Sequence, residues 1–190
     1  MTGRLAYLFE LDEYPQNGRL AKYEKELKTL IKTKDDDGIN ALSKIIFTDC
    51  INYLKTSFDL KIPGLYLGLL NHRRYTELCD KIDLVLGKRP RTYAIILGDN
   101  LGSEPEVYID FEKHYSFYLS TGKPINFLIN LIASYTEEII HSADPSKLET
   151  EIHQIVCDAL EGFAEIKLTE DVKEQRLSYS KRADAAKKLK

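Results

Sequence analysis

With 190 residues, 43% of them hydrophobic and 30% charged, the chain has the length of one ordinary domain and the composition of a globular rather than a disordered protein. A net charge of −3 supplies no general attraction to nucleic acid, and no apolar run reaches the roughly 18 residues of a membrane-spanning helix. The first residues interrupt their apolar stretch with acids, unlike a secretory leader.

The cysteines Cys50, Cys79 and Cys157 are far apart in sequence and form no C-x-x-C pair, which argues against a cysteine-built zinc site and a disulfide framework. Buried thiols and a cytoplasmic location are the expectation. The chain has no tryptophan, one methionine and few glutamines, a composition that leans toward a thermophilic source.

In chain order, residues 18–34 carry Leu20, Tyr23, Leu27, Leu30 and Ile31 at helical spacing. The run Lys34-Asp35-Asp36-Asp37-Gly38 makes a turn and caps a second helix over 39–58. After the Pro63-Gly64 break, a third helix is predicted over 69–86, with Tyr75, Leu78, Ile82 and Val85 on its inner side. Lys88-Arg89-Pro90-Arg91 marks a change of texture. Residues 92–98 are apolar, β-branched and aromatic, and residues 106–111 alternate, so both read as strands. Residues 115–119 fit either a strand or a helical turn.

Gly122-Lys123-Pro124 opens a long helix to His141, because proline suits a first helical position. Its core stripe is Ile125, Leu128, Leu131, Ile132, Tyr135 and Ile139. Asp144-Pro145-Ser146 ends it and leads to a helix over 147–163 on Leu148, Ile152, Val156 and Leu160. The expected architecture is α+β: one domain over 1–165, helical in 1–87 and sheet-plus-helix in 88–165, then a polar basic tail over 166–190. From Lys173 onward seven basic residues face two acids. That asymmetry suits a solvated helix or contact with an acidic partner or nucleic acid. His72-Arg73-Arg74 and residues 88–91 are further basic patches of the same kind. His114, beside Tyr115 and Tyr118, reads as an ordinary loop or strand residue.

The chemistry concentrates in residues 135–153. The run Glu137-Glu138-Ile139-Ile140-His141 places Glu137 and His141 four apart on one helix face, with Glu138 just to the side. Two converging ligands and an offset carboxylate are what metal-assisted hydrolysis needs. The segment resembles the H-E-x-x-H helix of zincin metallopeptidases, with glutamate in place of the first histidine. Downstream, Glu149-Thr150-Glu151-Ile152-His153 resembles the ligand helix of the ImmA/IrrE-type members of that group.

The resemblance spans about residues 92–163. It implies Glu137, His141 and Glu151 as metal ligands, with His153 replacing Glu151 in another register, and Glu138 as general base. It also implies a peptide or protein substrate, held by strand addition along 106–111 as an edge strand. Two carboxylates with one imidazole make a harder, more anionic set than the zincin one, which shifts preference from zinc toward iron or manganese. Glu138-Ile139-Ile140-His141 is also the E-x-x-H half of a di-iron motif, but the chain holds no second copy. A histidine in a last helical turn is favoured by the helix dipole without any metal. The alternative class is a non-enzymatic interaction protein, nucleic-acid-associated through its basic tail. Oligomeric state is not legible in the sequence.

Overall fold

The computed structural model describes residues 9, 11, 13–87, 94–97 and 104–187. Within them the chain is α+β: seven helices and one three-stranded sheet. The order is α1 (Arg19–Thr33), α2 (Asp36–Ser57), β1 (Tyr66–Leu70), α3 (His72–Leu86), β2 (Ala94–Leu97), β3 (Glu106–Asp110), α4 (Phe111–Thr121), α5 (Pro124–Ala143), α6 (Glu149–Phe163) and α7 (Glu170–Lys187).

Local chemistry sets most of these boundaries. Asp35 caps α2 by accepting from the Gly38 amide, Asn71 caps α3 through the Arg74 amide, and Asp110 caps α4 through the Lys113 amide. Gly122 closes α4 in the left-handed conformation at φ 66°, and Pro124 starts α5 where its missing N–H is not needed.

The sheet order is β1-β3-β2, with β1 parallel and β2 antiparallel to β3. Two expectations are corrected here. Residues 66–70 form a strand, not the start of the third helix, and Asn71 begins α3 instead. More consequentially, residues 106–110 are the central strand, hydrogen-bonded on both sides, so they cannot receive a peptide by strand addition. Val107 and Ile109 are fully buried on one face of β3. On the other face Tyr108 lies across Gly68, where a Cβ would sit 2.5 Å from its ring.

Helix α5 is the axis of the domain, packed by α1, α2, α4 and α6 and by the sheet. From Ile125 to Ala133 every residue is buried, as befits a helix with neighbours on all sides. Phe47 of α2 meets Tyr135 edge-to-face at 5.1 Å. Asn130 and Asn126 on α5 tie down the amino-terminal segment. Asn130 Oδ1 accepts from the Phe9 amide at 2.7 Å and its Nδ2 donates to the Phe9 carbonyl at 2.8 Å, while Asn126 Oδ1 accepts from the Leu11 amide at 3.0 Å.

Other sequence expectations fare unevenly. Residues 115–119 are helical, within α4. His114 is buried there, not in a loop, with Nε2 3.2 Å from Ser134 Oγ, and burial pushes its pKa down to about 4. Val85 points to solvent at 81% exposure rather than inward. The three cysteines are free and buried. The Lys88-Arg89-Pro90-Arg91 patch lies outside the described residues. Within them, no helix is long and apolar enough to cross a membrane.

Candidate metal centre

The last turn of α5 and the first turn of α6 meet because only a short turn joins them. Asp144 Oδ1 accepts from the Ser146 amide and hydroxyl, which folds the chain back at Pro145. This brings Glu149, the first residue of α6, against His141: its Oε2 lies 3.5 Å from His141 Nε2. Glu137, one turn back on α5, completes the group. Each of Glu137, His141 and Glu149 offers one ligand atom, all within 4.8 Å of one another.

A bound divalent ion with metal–ligand bonds near 2.0–2.2 Å sets its ligand atoms roughly 3.0–3.5 Å apart. A side-chain contraction of about 1 Å therefore converts the group into a coordination set. Two carboxylates and one imidazole, all half-buried, can hold a metal ion.

Glu151, the third ligand implied by the family resemblance, is not brought to this group. It is exposed, and its Oε2 accepts from the Leu148 amide at 2.9 Å, closing the start of its own helix. Two residues along a helix are about 200° apart, so Glu149 and Glu151 cannot both face α5. His153, the alternative ligand, is buried on the inner side of α6 but stands outside the ligand group, with Cys157 Sγ 3.7 Å from its Nε2. Burial and the nearby Arg176 charge lower its pKa, favouring neutral imidazole.

Glu138 sits beside the group and is 8% exposed. Burial, reinforced by the Glu137 charge, pushes its pKa up to about 8 against the pull of His141. A carboxyl that holds its proton to that pH has the poise of an acid–base group. Burial works against the charged form of His141. The Glu149 hydrogen bond and the charges of Glu138, Glu149 and Glu137 outweigh it, so its pKa is raised.

Two residues of α7, counted on sequence grounds only as charges of a basic tail, also bear on the site. Arg176, itself 8% exposed, pairs its guanidinium with Glu137 and stacks 5.5 Å from the Phe9 ring centre. Asp184 accepts from the Glu149 and Thr150 amides at 2.8 and 3.1 Å and from Thr150 Oγ1 at 2.9 Å, capping α6 from outside. A cavity of about 20 Å³, room for roughly one water, remains between Glu137, Glu149, His153, Arg176 and Tyr179. The basic residues of 173–187 are thus partly spent inside the fold: Lys173 pairs with Glu161 at 3.0 Å, and Arg176 is buried.

The chain matches no protein-family model, no curated protein and no solved structure.

Proposed function

We propose that the protein binds one divalent metal ion through Glu137, His141 and Glu149, as an altered zincin-like centre. The observation that carries this is the convergence of those three side chains from two helices. The donor set is two carboxylates and one imidazole, harder than the zincin set, which shifts relative preference from zinc toward manganese or iron(II). When bound, the ion supplies Lewis-acid polarisation of a carbonyl or a water.

The chain's own residues supply the rest. Glu138, buried one residue from Glu137, holds or takes up a proton at the edge of the site. Before the ion binds, the contact between Glu149 Oε2 and His141 Nε2 holds the two ligands side by side. Asp184 orients Glu149 by fixing the start of α6. Two features weigh against a peptide-cleft form of the activity: β3 is internal to its sheet, and α7 leaves only about 20 Å³ beside Glu137 and Glu149. The protein is therefore a metal-binding protein first, with hydrolysis confined to a narrow substrate class.

The test is hydrolysis of small ester and peptide substrates by protein incubated with manganese, iron(II) or zinc, alongside Glu138→Gln. Turnover that falls at least about 100-fold in Glu138→Gln supports the acid–base role. Turnover equal in the variant removes Glu138 from the chemistry. Metal uptake without turnover leaves a binding protein.

A further inference from the structure

Building on the metal-binding assignment, we infer that α7 is a strap displaced by the metal: Arg176 is the resident cation of the metal-free site, and a divalent ion competes with it for Glu137. The first observation is what α7 buries. Its inward positions are Arg176, Ser180 and Asp184, at 8%, 6% and 7% exposure and one turn apart. A helix on a protein surface ordinarily buries an apolar stripe. Here the stripe is polar, and its two ends are fixed to the two helices that carry the ligands. Arg176 holds Glu137 of α5, and Asp184 holds the first amides of α6. The docking of α7 therefore depends on the state of the carboxylates beneath it.

Charge supplies the second argument. A guanidinium cannot shed its proton in the accessible pH range, so Arg176 stays positive while it touches Glu137. A divalent ion ligated by Glu137, His141 and Glu149 would place two further positive charges within a few ångströms of it. Glu137 cannot serve both cations at full strength.

The third observation concerns the quality of the existing contact. Arg176 Nε is buried without a hydrogen-bond partner, so the guanidinium is only partly satisfied where it sits. Moving it to solvent relieves that donor. The cavity beside Glu137, Glu149 and His153 grows as Arg176 leaves, and His153 is already on its wall as a potential fourth donor.

Coupling of this kind is reciprocal: if the ion loosens α7, a docked α7 weakens the ion's binding by the same factor. The full-length protein and Arg176→Gln are titrated with manganese and zinc in competition with a chromophoric chelator. Amide hydrogen exchange of the wild-type protein is followed with and without saturating manganese. The expected results are affinity raised roughly 5- to 150-fold in Arg176→Gln and faster exchange over residues 172–180 of the wild type when metal is present. Both are required.

Equal affinity in the two proteins, or unchanged or slower exchange in α7, overturns the strap while leaving the metal site intact. Absence of metal binding in both proteins overturns the metal site and the strap together. If Arg176→Gln does not fold, the wild-type exchange experiment decides alone.

Discussion

Breaking the Arg176–Glu137 pair in the metal-free protein should reveal a net attraction that salt does not remove. The variants are Glu137→Gln, Arg176→Met, which keeps the aliphatic stem packed near Phe9, and the double substitution. Exposed ion pairs contribute about 0–1 kcal/mol, whereas removing one partner of a fully buried pair costs about 3–5 kcal/mol. The Arg176 side chain is 10% exposed and that of Glu137 is 31%, so this pair falls between those limits. A coupling energy of about 1–3 kcal/mol follows for the four-cornered cycle. The cycle also cancels the relief of repulsion that Glu137→Gln brings to Glu138 and Glu149. The assay is urea unfolding at about 0.1 and 1 M NaCl, between which the screening length falls from about 10 to 3 Å. A buried contact keeps more than half of its coupling at the higher salt. Coupling below about 0.5 kcal/mol, or coupling abolished by salt, would show that Arg176 does not close the site.

Three further outcomes follow from other parts of the fold. Asn130→Leu leaves the Phe9 amide and carbonyl buried and unpaired, and should cost about 2–4 kcal/mol in thermal or urea unfolding. Asn126→Leu, which loses one such bond and also removes an unpaired buried Nδ2, should cost less than half as much. His114 has its pKa lowered by burial from 6.5 to about 4, so its contribution is present above pH 6.5 and is lost as the pH falls through that window. The stability advantage of wild type over His114→Gln should therefore shrink by on the order of 3 kcal/mol between pH 7 and 4, at about 1.4 kcal/mol per pH unit; a pH-independent difference would contradict the burial. Glu151→Ala should cost about 0.5–1 kcal/mol through its lost cap and leave metal affinity unchanged. A loss of metal binding in that variant would restore Glu151 as the ligand.

Much of α5 and α6 was legible in the sequence because proline, an Asp-Pro-Ser break and helical periodicity mark them directly. The ligand register was legible too, but the family likeness pointed elsewhere. Ile152, Val156 and Leu160 define the inner stripe of α6; Glu149 lies three residues before Ile152 and is in phase with it, whereas Glu151 is one residue out and faces solvent. Strand β1 was hidden because its five residues, Tyr-Leu-Gly-Leu-Leu, carry no alternation and run straight into the Asn71 cap. That β3 is central depends on a parallel pairing with β1 about 40 residues away, which no local pattern records. Asn130 and Ser134 are polar positions on the same face of α5 as Glu137 and His141, but they do not serve the metal site. Those side chains instead meet Phe9 and His114, partners set by tertiary packing. Arg176 looked like one more charge in a basic tail, and only the docking of α7 makes it the counter-ion of Glu137.

Metal stoichiometry and affinity, measured on the purified full-length chain after incubation with manganese, iron(II) and zinc, bear most directly on the central claim. About one ion per chain, lost in both His141→Ala and Glu149→Gln, is the predicted result. No retained ion with any of the three metals, or equal retention in the His141→Ala protein, would contradict it.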